Sequence, residues 1–225
     1  MAELILLRHG QSIWNEKNIF TGWVDVPLSL KGVSESLEAG AKIAHLPIDF
    51  VYTSSLVRAQ MTAFLALSLH HAKKVPVLMH VGEGKKEEWG HIFGERALAD
   101  TIPVMAASEL NERMYGQLQG RDKAEMAALY GKEQVHLWRR SFDQAPPEGE
   151  SLRMTAERVL PFFRGTIFPK IQGGKKIFIS AHGNSLRALL MEIEGLSSDA
   201  ILHREISTGV PLLYHFNGLS FRSIL

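Results

Sequence analysis

Two histidines in the chain each follow a short apolar run and precede a glycine: His9 in "LILLRHGQ" and His182 in "KIFISAHGN". A neutral imidazole is a nucleophile that can carry a covalent intermediate. A protonated one can stabilise charge on a group in transfer. Arg8 directly precedes His9, and Arg58 ends "YTSSLVR", a third segment of the same form. Guanidinium forks match phosphate oxygens in shape and charge. The glycines after the histidines remove a Cβ and allow close approach of a ligand to the backbone. A phosphoryl pocket with a histidine inside it is the chemistry these residues point to. A metal site fits less well, because Arg8 would repel a dication and no H-x-H or H-E-x-x-H spacing occurs. No P-loop or G-x-G-x-x-G is present either. A lone His-Gly is a weak signal. His45, His70, His71, His80, His91, His136, His203 and His215 read most simply as surface or packing residues.

Strand ends beside helix starts are where open α/β sheets bind anions. Residues 4–7 read as a fully buried strand, with further strands at 49–54, 74–81, 176–181 and 211–216. Helical spacing runs through 30–46 and 56–69, the latter with Ser55 as a candidate cap. Asp122 reads as an N-cap with Gly131 as the stop, and a helix after His182 ends at Gly195. Alternating elements predict an α/β fold of three layers, a mostly parallel sheet with helices on both faces. The whole of 1–225 reads as one domain. The least patterned stretch, 82–108, reads as a surface excursion.

Composition narrows the function classes. A net charge of +1 gives no global field for nucleic acid or a membrane surface. The absence of cysteine excludes disulfides and thiol nucleophiles and fits a reducing compartment. The opening "MAELILLR" lacks a basic leader, and its apolar run is too short to span a membrane. A cytoplasmic protein is the expectation.

The segment "LRHGQSIWNEKNIFTGWVDVPLS", followed in order by "YTSSLVRA", "LNERMYGQLQGRDKAE", "WRRSF" and "AHGNSLRALL", resembles the histidine phosphatase superfamily. Within it, these motifs are similar to the cofactor-dependent phosphoglycerate mutases, over most of the chain. The resemblance implies that fold and an isomerase of glycolysis and gluconeogenesis. That isomerase interconverts 3- and 2-phosphoglycerate, primed by 2,3-bisphosphoglycerate and without a metal. It implies that His9 accepts the phosphoryl group, that Arg8, Arg58 and His182 surround it, and that Glu112 donates and accepts the proton. It further implies that Gly10, Gln11, Ser12, Asn15, Thr21, Gly22, Gly183 and Asn184 line the pocket, with Tyr115 beside Glu112. Arg113, Lys123, Arg139 and Arg140 would hold the remaining anionic groups of the substrate. Homodimers or homotetramers are expected by the same resemblance. A doubly phosphorylated intermediate with a carboxylate needs many cations, which favours a mutase over a simple phosphomonoesterase. Retention of both histidines with Glu112 argues against a non-catalytic phosphate binder.

Compared with the family pattern, the stretch 79–108 looks longer, "DQAPPEGESL" is abbreviated, and little chain follows the last strand. Part of 82–108 is therefore expected over or beside the site entrance, as a cover.

Overall fold

The computed structural model describes residues 2–224. Seven strands form one sheet in the order β3-β4-β2-β5-β1-β6-β7. They are β1 (Ala2–Arg8), β2 (Phe50–Ser54), β3 (Val75–Met79), β4 (Thr101–Ala107), β5 (Ile177–Ala181), β6 (Pro211–Phe216) and β7 (Phe221–Ser223). The first five in chain order run parallel to one another, and β6 is antiparallel to both of its neighbours. Leu4, Leu6, Ile177 and Ile179 face one core, and Ile5, Leu7 and Phe178 face the other. Burial on both faces is why these strands are continuously apolar rather than alternating. Leu4–Leu7 are at most 2% exposed. Each contributes about 1.5–3 kcal/mol of burial free energy, so core packing fixes the register that carries Arg8 and His9 to the sheet edge.

The helices are α1 (Ile13–Glu16), α2 (Leu30–Ile43), α3 (Val57–Leu67), α4 (Lys85–Trp89), α5 (Glu95–Ala99), α6 (Lys123–Tyr130), α7 (Lys132–Arg140), α8 (Leu152–Phe162), α9 (Phe168–Gln172), α10 (Gly183–Glu194) and α11 (Ser198–His203). Helices α2 and α3 cover one face through Ala39, Ile43, Ala63 and Ala66. Helices α8 and α10 cover the other through Val159, Leu186, Leu189 and Leu190. The layered α/β architecture expected from the alternation is the one observed. Asp122 caps α6 by accepting from the amides of Ala124 and Glu125.

Three local readings need correction. The stretch 82–108 is not one excursion, because Thr101–Ala107 is β4, paired in parallel between β3 and β2. Pro103 forfeits a ladder donor there, which is why the segment lacks a clean strand pattern. Ser55 does not cap α3. Its amide and hydroxyl bond the Asn111 side chain, while Asp25 accepts from the Val57 amide across 2.6 Å. The glycine at 10 serves backbone packing: a Cβ there would sit 2.2 Å from the Gly32 carbonyl oxygen, so α2 could not approach the strand end.

Candidate active site

The carboxyl ends of β1, β2 and β5 converge at the N-termini of α3 and α10. The two histidines meet there with ring centroids 4.8 Å apart at 62°. Both are buried. The His9 amide donates to the Ala181 carbonyl at 3.0 Å, which locks the two strand ends together. His9 Nδ1 donates to the Gly10 carbonyl at 2.7 Å. A carbonyl can only accept, so the proton lies on Nδ1 and the Nε2 lone pair is free. Burial, then Arg58 and Arg8, hold the His9 pKa well below the ordinary histidine value. The nucleophilic, neutral form is therefore the resting form at neutral pH. Burial followed by Arg58 likewise depresses His182, whose Nε2 bonds the Ser54 hydroxyl at 2.7 Å. Its Nδ1 is buried without a hydrogen-bond partner among the described residues.

Arg58 is 1% exposed and donates to the carbonyls of Gly22 and Val24. It thereby holds the Thr21–Val24 turn against the site while lining the cavity itself. Burial brings its pKa down to about 10, opposed by Glu112 and Asp25, and it stays charged. Arg8 donates Nη1 to the Ile206 carbonyl and leaves Nε without a partner. At Gly22, with φ of +53°, a Cβ would strike the Gln119 side-chain oxygen at 2.0 Å. The same oxygen accepts from the Trp23 amide and ties the turn to the 116–120 segment.

Glu112 Oε1 accepts from the amides of Arg113 and Asn184 and from the Asn184 side chain, at 2.8–3.1 Å. Burial alone would raise its pKa. The Arg113 amide, the Asn184 side chain and the charges of Arg8 and Arg58 outweigh burial and hold the carboxyl below its usual value. It rests as a carboxylate. All three bonds fall on Oε1, so Oε2 is the oxygen left to take a proton.

The cavity over these groups measures about 140 Å³. Its lining joins Arg8, His9, Asn15, Thr21, Gly22, Arg58, Glu112, Tyr115, Lys123, Arg139, Arg140, Gly183 and Asn184, all expected from the sequence. Gly10, Gln11, Ser12, Arg113 and His182 do not line it. Gln11 bonds Glu35 and Ser29, and Ser12 caps α1. Arg113 is fully buried, stacks on Tyr115 and donates to the Arg139 carbonyl at 2.7 Å, so it positions two lining residues. His182 packs behind His9. No lining residue comes from 82–108, whose residues 82–91 and 93–100 are exposed along the connection from β3 to β4. The cover expected of that stretch is not formed.

Four further residues line the cavity beyond those expected from the sequence: Ile19, Phe20, Arg187 and Glu205. Arg187 had a signal, standing one helical turn after Asn184 on the same face. Arg158 has no local signal in the sequence. It donates to the carbonyls of Glu109, Asn111 and Glu112, and it pairs with Glu150, which accepts from the Met114 amide. This clamp sets the strand of chain that presents Glu112. Arg158→Met should lower kcat by about ten- to a hundredfold through misplacement of that carboxylate. Steady-state kinetics would show the loss in kcat with KM changed far less, whereas equal losses in affinity would mean the clamp acts on the pocket as a whole.

Six cations (Arg8, Arg58, Lys123, Arg139, Arg140 and Arg187) thus face two carboxylates around a buried neutral imidazole. A model of the Histidine phosphatase superfamily (branch 1) matches residues 4–85 and 93–218, and the chain belongs to that superfamily. Within it, the chain is 58% identical over 217 residues to the 2,3-bisphosphoglycerate-dependent phosphoglycerate mutase of Protochlamydia amoebophila (strain UWE25), covering 96% of each. It is 53% identical over 221 residues to the protein of the same name from Chlamydia trachomatis serovar L2b (strain UCH-1/proctitis), covering 98% of this chain and 96% of that one. Among solved structures, Bacillus stearothermophilus YhfR superposes with a TM-score of 0.76 at 21% identity, over 100% of this chain and 96% of that one. That last likeness is one of fold.

Proposed function

We infer that this protein interconverts 3-phosphoglycerate and 2-phosphoglycerate by way of a phosphoryl group carried on His9. The observation that carries the reading is the placement of a neutral, cavity-lining imidazole and an ionised Glu112 inside one cavity ringed by six cations. Relatives with more than half of their residues identical bear the name of that activity.

The residues fit a small compound with several anionic groups. Arg8 Nε and Thr21 Oγ1, on two residues that line the cavity, are buried polar atoms without partners among the described residues, and His182 Nδ1, behind His9, is a third. Bound there, 2,3-bisphosphoglycerate would supply the phosphoryl group that loads His9. His9 Nε2 attacks phosphorus as the bond to the leaving oxygen breaks, and Glu112, protonated by the hydroxyl of the preceding transfer, returns that proton to the leaving oxygen. In the reverse transfer Glu112 takes the proton of the attacking hydroxyl while the P–N bond breaks. Arg8, Arg58 and the α10 N-terminus hold the phosphoryl oxygens throughout. Lys123, Arg139 and Arg140 hold the groups that do not react.

A coupled assay with 3-phosphoglycerate tests the reading. Turnover should depend on added 2,3-bisphosphoglycerate, and release of free phosphate should be a minor side reaction. Phosphate release as the main product would make the protein a phosphomonoesterase. The guanidinium groups supply the positive charge that a dication would bring, so protein stripped with EDTA should keep full turnover. Loss of activity restored by manganese or zinc would contradict this. We place the enzyme in the cytoplasm, where its charged substrates are retained. No helix among the described residues is long and apolar enough to cross a membrane.

Burial, then Arg139, lower the Lys123 pKa to about 8. An anionic ligand beside it favours the charged form. Above pH 8 the free enzyme loses that charge, so binding must take up a proton and weakens as pH rises. KM for 3-phosphoglycerate should climb above pH 8 in the wild type and lose most of that dependence in Lys123→Met. A pH–KM profile for both proteins checks it, and parallel profiles would assign the effect elsewhere.

A further inference from the structure

Arg187 lies on α10, 8% exposed, with its side chain lining the cavity. Its Nε is buried without a hydrogen-bond partner among the described residues, and no other described residue bonds or ion-pairs its remaining nitrogens. Its neighbours make the position costly. A Cβ on Gly183 would lie 3.5 Å from Arg187 Nη1 and 3.6 Å from Arg8 Nε, so the two guanidinium groups flank the same glycine. Arg140 and Arg8 act on it as like charges, opposed at a distance by Glu112, whose Oε1 is bonded by Arg113 and Asn184, and by Glu205, which pairs with Arg140 at 3.3 Å. Burial, then Arg140, lower the Arg187 pKa to about 10, so it remains charged at neutral pH. A buried, unpaired cation beside two others destabilises a fold unless something outside the fold pairs with it.

We propose that Arg187 is a substrate-contacting residue, the cation that bridges the subsite of the transferred phosphoryl group at Arg8 and the subsite of the second anionic group at Arg140. The proposal rests on the mutase reading for the identity of the ligand, a compound with two or more anionic groups. The bridge explains two features together. A ligand long enough to reach both subsites gains a fork at its middle that a single phosphate at His9 does not need. The residue also has no structural duty: a guanidinium that bonds nothing in the protein holds nothing in place. Function and stability should therefore pull in opposite directions at this position, as they do where a site is built from groups that repel one another.

The test compares the wild type with R187Q and R187M. Calorimetry measures the affinity for 2,3-bisphosphoglycerate and, separately, for orthovanadate, a single small anion that fills only the subsite at His9. Thermal melting is followed without ligand. Bisphosphoglycerate should bind at least tenfold more weakly in both variants, with vanadate affinity within about twofold of wild type and a melting temperature equal or higher. R187K should recover part of the bisphosphoglycerate affinity, because it restores the charge without the fork. Unchanged bisphosphoglycerate affinity would overturn the proposal. Equal loss for both ligands, or failure of both variants to fold, would also overturn it by giving Arg187 a structural role. Wild-type protein that does not convert 3-phosphoglycerate would defeat the mutase reading alone, since the affinity comparison does not depend on turnover.

Discussion

His9→Ala should abolish turnover, with a loss of ~10⁴-fold or more, because no other histidine among the described residues lines the cavity to carry the phosphoryl. The fold should survive. His9 makes one side-chain hydrogen bond, to its own neighbour Gly10, and its ring borders the cavity rather than the closed core. The strand ends stay joined, because the bond from residue 9 to Ala181 is made by the main chain. Thermal melting close to that of the wild type, together with absent mutase activity, is the expected pair of results. Residual turnover within a hundredfold of normal would mean that another nucleophile operates.

The second large effect belongs to Glu112. In Glu112→Gln the side-chain oxygen can still accept the three N–H bonds now made to Oε1, so the residue keeps its place. The amide nitrogen that replaces Oε2 cannot accept a proton. General acid–base catalysis contributes roughly two to four orders of magnitude, and kcat should fall on that scale. Affinity should hold or tighten, because removing a negative charge beside Arg8 and Arg58 leaves those cations more attractive to an anion. Steady-state kinetics on the variant separates the two quantities. A near-normal kcat would send the proton through another group.

The parts of this site that could be read in the sequence are those written locally. β1 and β5 stand out because strands buried on both faces are continuously apolar, and each ends at His-Gly. β4 has no legible strand pattern because Pro103 interrupts it and because it follows an exposed connection containing Trp89 and Phe93. The cradle of Glu112 was hidden for a different reason. Its partners are separated in sequence: Asn184 lies 72 residues away, and the clamping Arg158 lies 46 away. Asp25 capping α3 and Arg113 gripping the Arg139 carbonyl are of the same kind. The motif around Arg113 marked it as a substrate ligand, yet the fold turns it inward, and α10 brings Arg187 to the cavity. Periodicity reports which face of an element is apolar, but not which distant carbonyl a buried guanidinium will meet.

In the mechanism inferred above, a phosphoryl group rests on His9 between two substrates. Protein incubated with 2,3-bisphosphoglycerate labelled on phosphorus should acquire close to one acid-labile, base-stable label per chain. Peptide mass spectrometry under neutral conditions should place it on His9, and unlabelled 3-phosphoglycerate should discharge it as labelled bisphosphoglycerate. Label on another residue, or label that only water removes, would contradict the account.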